Sequence, residues 1–430
     1  MPMLKNFVAY FVLQINSKNI NLEMKKHRLK IGFLILLFFV LASSCVEEYW
    51  PDINSSNTQM LVVDGKISNF PGPYTIKLSY SSALADTNFL AVTSARVTIL
   101  DDEGSSEQLK EKSPGIYQTD AQGIKGQIGH AYKTKIILAN GKTYESDFET
   151  LKKPLEVESV EYDKQWRYAQ NELETDEEGY QFYVSSKTSS SFYTYLYWEL
   201  EETFEYHSNY KIYFFYDGSI PSQGESNFYG IQPMNNFDTL FYCWRTQKIK
   251  ERYNFSLEHL STAQVKRQNL HFIPFSDSRL RFGYNLLVKQ YSVSERAYTY
   301  LNYLREQNEN QAGIFSRQAF QFRGNIKNVE DDKEIVLGYF VVAGGSYGPR
   351  IQLRAPEGIK YPQTDCFADP DMTSIQNRIA NSSAGDWPLY FTYFFFEYAD
   401  PPQTAFAYIS PNCVDCRRHG GVAVKPEFWQ

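Results

Sequence analysis

Between Met60 and Pro154 the chain alternates apolar and polar residues with period two and lacks the 3.6-residue period of an amphipathic helix. Residues 74–80 (Tyr-Thr-Ile-Lys-Leu-Ser-Tyr) are the clearest half-buried strand. Residues 60–63 read as a strand closed by a turn at Asp64-Gly65, and 95–100 run into the polar turn Asp101-Asp-Glu-Gly104. Residues 132–138 meet Asn140-Gly141, and the alternation resumes over 142–148. Asn-Gly between two such runs specifies a tight hairpin, because both residues tolerate positive φ. Short strands at close intervals, each bounded by turn chemistry, predict a sandwich of immunoglobulin or fibronectin type over 60–154.

Pro154 marks the expected boundary, and 155–430 reads as a larger β domain. Strands are expected at 155–163, 181–184, 192–200, 210–216, 239–244 and 388–398, the last densely aromatic. An acidic loop (171–179) and a polar one (219–238) interrupt them, and 334–342 and 349–355 read as a strand pair. One helix stands out near 293–308. Ser292-Val-Ser-Glu295 fits a capping box, and Ala297, Leu301 and Leu304 follow at helical spacing. A second, shorter helical stretch is expected at 257–268. The predicted fold class is therefore all-β, with a helical insertion in the C-terminal domain.

Upstream of Met60 the pattern changes altogether. Residues 31–41 are an apolar run behind Lys25, Lys26, Arg28 and Lys30, and Ala42, Ser43 and Ser44 lead into Cys45. A basic head, a short apolar middle and small residues at the exit describe a secretory signal peptide. The run is shorter than the roughly 20 residues of a membrane span. A cysteine directly behind the small residues resembles the lipobox of a bacterial lipoprotein, which implies cleavage before Cys45 and acylation of that residue. Met24-Lys-Lys-His-Arg opens an ordinary signal head, so Met24 is the expected start. Residues 1–44 are the expected signal and 45–59 a lipidated tether. Glu47 and Glu48 resemble the signal that exports lipoproteins of Bacteroidetes-type bacteria to the cell surface. The expected location is thus the outer membrane, lipid-anchored and facing outward.

Loss of 1–44 removes six of the 43 basic residues and one of the 50 acidic ones, leaving 37 against 49, a net charge of −12. Such a chain repels phosphate backbones, which argues against nucleic acid as a partner. It gains nothing from anionic lipid surfaces, so the acyl chains remain its tether to the membrane. The 33 Tyr and 31 Phe suit strands and large sandwich cores. They would equally suit a carbohydrate-binding surface of stacked rings. With Cys45 lipidated, Cys243, Cys366, Cys413 and Cys416 remain. An even number in an exported protein reads first as two disulfides, of unspecified connectivity.

Cys413-Val-Asp-Cys416 leaves two further readings open: a redox pair, which needs a helix N-terminus behind a strand, and a zinc site completed by Cys243, Cys366 or His419. Gly344-Gly-Ser-Tyr-Gly348 matches the G-x-S-x-G nucleophile elbow in letters. A strand rather than a helix is expected after it, so it reads as a glycine-rich hairpin. Asp365, Asp369 and Asp371 supply only a fraction of the oxygen ligands a hard cation needs, and they read as a solvated loop. His130, His207, His259, His271 and His419 are scattered, and no metalloprotease, Walker or dinucleotide motif occurs. No cofactor is implied. Carboxylates paired only by the fold leave a hydrolase as the weakest alternative. The stretches 195–198 and 388–398 would expose half their rings to a sugar or a partner unless a second layer covers that face.

Several segments carry a family resemblance in order: Leu61-Val-Val-Asp-Gly65, Ala95-Arg-Val-Thr-Ile99, Gly141-Lys-Thr-Tyr-Glu-Ser-Asp147, Cys243-Trp244, Ser294-Glu-Arg-Ala-Tyr298, Gly324-Asn-Ile326, and Cys413-Val-Asp-Cys416 ahead of Lys425-Pro-Glu-Phe-Trp429. Together they resemble the DUF4249 family of Bacteroidetes lipoproteins across essentially all of the mature chain. That resemblance implies a non-enzymatic surface or outer-membrane lipoprotein, an accessory or substrate-capture partner of a TonB-dependent transporter. It brings no catalytic residues. A stand-alone glycan- or peptide-binding lipoprotein is the alternative.

Overall fold

The computed structural model describes residues 59–81, 90–169, 175–191, 194–219, 230–236, 239–310, 323–361, 366–383, 385–386, 388–396 and 403–430. The described chain is mostly β, as the alternation predicts. Cys45, the signal segment and the tether up to residue 58 lie outside the described residues. One eleven-stranded sheet organises the molecule. In chain order its principal strands are β1 (Leu61–Ser68), β2 (Thr75–Tyr80), β3 (Tyr195–His207), β4 (Tyr242–Lys248), β5 (Tyr284–Val293) and β6 (Leu337–Tyr347). In space they lie β4-β3-β5-β6-β1-β2.

The expected N-terminal sandwich is present, but C-terminal strands complete it. Val63, Ile67, Ile76 and Leu78 of the large sheet pack against Val97, Ile99, Tyr132 and Ile136 of a second sheet, and Ile326, Phe340 and Val342 share that core. β1 runs parallel to β6 from Val62 opposite Leu337 to Ser68 opposite Ala343, so strand pairing crosses Pro154. The hairpin at Asn140-Gly141 forms as predicted, with Ile137 opposite Thr143 and Gly141 at φ 87°.

The turn expected at Asp64-Gly65 does not form. β1 continues through it to Ser68, with Leu61, Val63, Gly65 and Ile67 on the core face. Glycine sits mid-strand because a Cβ at Gly65 would lie 2.9 Å from Ile76 and 3.2 Å from Phe340.

On the C-terminal side, Trp198, Leu200, Leu286 and Val288 of β3 and β5 pack on Phe182, Val184 and Ile273 of a three-stranded sheet (Val157–Arg167, Glu177–Ser186, Gln268–Pro274). Helix α1 (Glu295–Asn310) covers part of the opposite face, seating Ala297 and Leu301 among Tyr195, Val293, Tyr339 and Val341. Its cap is Ser294, whose hydroxyl accepts from the Ala297 amide at 3.1 Å, and not Ser292. Ser292 is still in β5, and its Oγ accepts from the Leu155 amide at 2.9 Å. The strand's period extends to Val293 and moves the cap two residues along.

Residues 257–268 form turns rather than the expected helix, and Leu257 and Val265 are buried singly in the second core. The strands expected at 334–342 and 349–355 do not pair with each other, and the glycine hairpin expected at 344–348 is absent. β6 and Ile351–Leu353 both run antiparallel to β5, Tyr347 opposite Lys289 and Ile351 opposite Leu286, so they are successive parts of one edge. The glycines serve packing there: a Cβ on Gly344 would lie 1.9 Å from the Lys152 carbonyl oxygen, and one on Gly345 would meet the Phe70 ring at 2.5 Å.

A five-stranded aromatic sheet, led by Leu389–Phe396 and Gln403–Ile409, carries the unforeseen helix α2 (Met372–Asn381). Only 214–216 of the strand expected over 210–216 joins it.

Candidate functional site

Helix α1 leaves part of the large sheet's outer face open, and the opening is a cleft of about 700 Å³. Period two puts Lys66 of β1, Tyr197 and Glu199 of β3, and Lys289 and Tyr291 of β5 on that face as its floor. Tyr197 lies directly opposite Tyr291, and Glu199 opposite Lys289. One wall is the segment of Phe70, Pro71 and Pro73 leading into β2. The other begins where β4 ends. The chain leaves the edge of β3 after Lys248 and rejoins it at Tyr253, and the arch between carries Lys250, Glu251 and Arg252.

At the centre Lys66 Nζ lies 2.6 Å from Glu199 Oε1 and 4.0 Å from the centre of the Tyr291 ring. Tyr291 donates its hydroxyl to Glu199 Oε2 at 3.2 Å, and its ring stacks on Tyr197 with centroids 4.7 Å apart. At the rim Phe70 stacks on the half-exposed Tyr347 at 4.1 Å. Lys289 pairs with Glu201 at 2.9 Å.

Burial pushes the Lys66 ammonium below its ordinary pKa. Lys248 and Lys289 push the same way, and Glu199 offsets part of the shift. For Glu199, burial works to raise the carboxyl, but the Lys66 ammonium outweighs it and the group ends below the usual carboxylate range. Burial first, and then the Glu199 charge, hold the Tyr197 and Tyr291 hydroxyls protonated. The floor is therefore a fixed ion pair beside two neutral phenols. Glu199 is held ionised with its oxygens engaged, which suits it to orienting a bound group and not to delivering a proton.

The predicted cysteines form two bridges, Cys243–Cys416 and Cys366–Cys413. Cys413 and Cys416 therefore do not pair with each other, and the redox-pair reading of that motif falls. Cys243 lies on β4 and Cys416 opens a single 3₁₀ turn, and the main chain of Trp244 bonds Val422 in both directions. The two bridges staple residues 413–416 to the large and the small sheet. Asp371 caps α2 through the amides of Thr373 and Ser374, Asp369 accepts from Ser374 Oγ at 2.6 Å, and Asp365 lies outside the described residues. Ser346 donates to the Leu155 carbonyl at 2.7 Å near the end of β6, with no helix behind it, so the nucleophile elbow is excluded by geometry. His271 is buried, and among the described residues its Nε2 lacks a hydrogen-bond partner. Both faces around 195–198 are covered, Leu196 and Trp198 by the second core and Tyr195 by α1, while Tyr197 reaches the cleft.

Of the floor residues only Tyr197 falls in a stretch that the sequence singled out, 195–198; Lys66, Glu199, Lys289 and Tyr291 were not singled out. The available signal was the alternation of β1, which runs unbroken over Lys66 and Ile67 once Asp64-Gly65 is read as strand.

A family model described as "Domain of unknown function (DUF4249)" matches residues 46–346. The match is shorter than the expected mature chain, over essentially all of which the resemblance was expected to run. It contains the whole floor of the cleft and Cys243, and it ends before Cys366, Cys413 and Cys416. No curated protein matches the chain. Among the described residues no helix is long and apolar enough to cross a membrane.

Proposed function

The chain belongs to the DUF4249 family, and on that premise we propose that it is a lipid-anchored outer-membrane lipoprotein that captures a ligand in the cleft without transforming it. Cys45 carries the anchor. The protein faces the cell exterior and serves as the accessory or substrate-capture partner of a TonB-dependent transporter, which supplies the energy. The observation that carries the capture reading is the opening beside α1, where charged and aromatic side chains of three interior strands meet under about 700 Å³ of open space. That volume lies in the range of small-ligand sites, roughly 300–1,000 Å³. Mild detergent extraction of outer membranes is the test. Repeated co-purification with a barrel protein is expected, and repeated recovery of the chain alone would overturn the partnership. Loss of palmitate labelling in a Cys45→Ala chain checks the anchor.

The half-exposed Tyr347, stacked on Phe70 at the rim, favours a second reading, a glycan-binding lipoprotein that acts without a transporter. In that case the chain alone would bind polysaccharide and no barrel would accompany it.

A further inference from the structure

We propose that the cleft selects an anionic saccharide, a short oligosaccharide bearing carboxylate or sulfate groups. This deepens the capture reading and rests on it. The charge of the cleft runs against that of the chain. A mature protein expected at −12 lines this one opening with six cationic side chains (Lys66, Lys77, Lys248, Lys250, Arg252 and Lys289) against three carboxylates, Asp64, Glu199 and Glu251.

Two of the six are already matched, Lys66 by Glu199 and Lys289 by Glu201. Lys248, Lys250 and Arg252 are exposed, and among the described residues none of them is in an ion pair. They stand along one wall, on the arch that β4 makes as it leaves β3. Lys248 and Lys289 are close enough to Lys66 that each disfavours its charge. An anion placed between the arch and the floor relieves that repulsion, and a cation there adds to it.

The remaining lining distinguishes a saccharide from other anions. Hydroxyl and amide groups of Ser68, Thr75 and Asn254 stand beside aromatic rings at floor and rim. Sugars are recognised by that mixture, with hydroxyls bonded to polar groups and ring C–H faces laid on aromatics. An acidic peptide would gain most by adding a strand to a sheet edge. At the floor the backbone is already paired on both sides: Tyr197 lies between Asn254 and Tyr291, and Tyr291 between Tyr197 and Gly345.

Calorimetry on the full chain in detergent tests this with four probes: oligogalacturonates, heparin oligosaccharides, neutral maltooligosaccharides and poly-glutamate. Binding of one of the two anionic saccharides is expected, and which of them binds decides between carboxylate and sulfate. The affinity should fall as salt screens the wall. A Lys248→Ala/Arg252→Ala chain, whose melting temperature should match the parent because neither side chain is paired, should bind roughly tenfold more weakly or worse. Equal binding of maltooligosaccharide, or an unchanged affinity in the double variant, would overturn the anionic class and leave capture standing. Binding of poly-glutamate alone would overturn the saccharide. Silence from all four probes would overturn the inference, and the capture role would then be judged by co-extraction with a barrel, which does not involve these cations.

Discussion

Glu202 offers the sharpest stability test. It is 1% exposed on β3, and its two oxygens accept from Arg279 Nη1 at 2.6 and 2.7 Å, Gln247 Nε2 at 2.6 Å and Tyr284 Oη at 2.7 Å. Glu202→Leu removes all four contacts at once. Arg279 keeps Asp277, which accepts from its Nε and Nη2, and a quarter of its side chain meets solvent. Its loss is therefore at or below the low end of the 3–5 kcal/mol typical of a broken buried pair, about 2–3 kcal/mol. Tyr284 is fully buried, and a stranded hydroxyl there adds about 1–3 kcal/mol. Gln247 is partly exposed and turns to water at little cost. Leucine recovers about 1 kcal/mol of apolar burial.

The net destabilisation is about 4 kcal/mol, or roughly 8 °C at about 2 °C per kcal/mol for a chain of this size. Thermal unfolding followed by tryptophan fluorescence, to which the buried Trp198 contributes, measures it. A double-mutant cycle with Tyr284→Phe isolates the cause. In the parent that change should cost about 1 kcal/mol, and in the Glu202→Leu background it should instead restore about 1–3 kcal/mol, because the orphaned hydroxyl disappears with it. A shift under about 1 kcal/mol for Glu202→Leu, or an equal cost of Tyr284→Phe in both backgrounds, would refute the hub.

Four more outcomes are expected. Replacing Cys366 and Cys413 by serine opens a loop of sequence separation 47, and chain-entropy accounting gives about 4 kcal/mol of lost stability, readable as a lower urea midpoint. For Cys243 and Cys416, at separation 173, the same accounting gives about 5 kcal/mol. Glu199 has a depressed folded pKa, so its contribution is whole above the unfolded carboxyl value and disappears as pH falls through the folded one. Stability measured from pH 6 down to about pH 3 should therefore drop more steeply in the parent than in Glu199→Gln, and parallel curves would contradict the ion pair. Gly344→Ala should yield no native near-ultraviolet dichroism, because its methyl would lie 1.9 Å from a backbone oxygen, and a native spectrum would show that the Lys152–Pro154 segment can move aside.

Local pattern was enough for most strands, for the Asn140-Gly141 hairpin and for the existence of α1, since each depends on residues within one run. The failures share a cause. Asp64-Gly65 has turn chemistry, yet it is strand because Phe340, some 275 residues away in sequence, packs where a Cβ would stand. Ser292-Val-Ser-Glu295 contains a capping box, yet β5 holds Ser292 for its pairing with β3. Gly344 to Gly348 looks like a hairpin, yet the glycines admit the backbone near Lys152 and the ring of Phe70. In each case tertiary packing overrode a local preference worth only about 1 kcal/mol.

The cleft was hidden for a stronger reason. Lys66 in an alternating strand is what any solvent-facing position looks like, and so is Glu199. Each becomes unusual only because β1 and β3, 133 residues apart at this pair, lie in one sheet and α1 stops short of covering them. The cations of the arch carry even less local signal, since Lys248-Ile-Lys-Glu-Arg252 resembles any charged loop until both of its ends are seen on the same edge of β3. What the sequence did carry was the contrast that makes the cleft informative. A chain expected to be strongly acidic has no electrostatic reason to gather six cations around one opening unless something negative is received there.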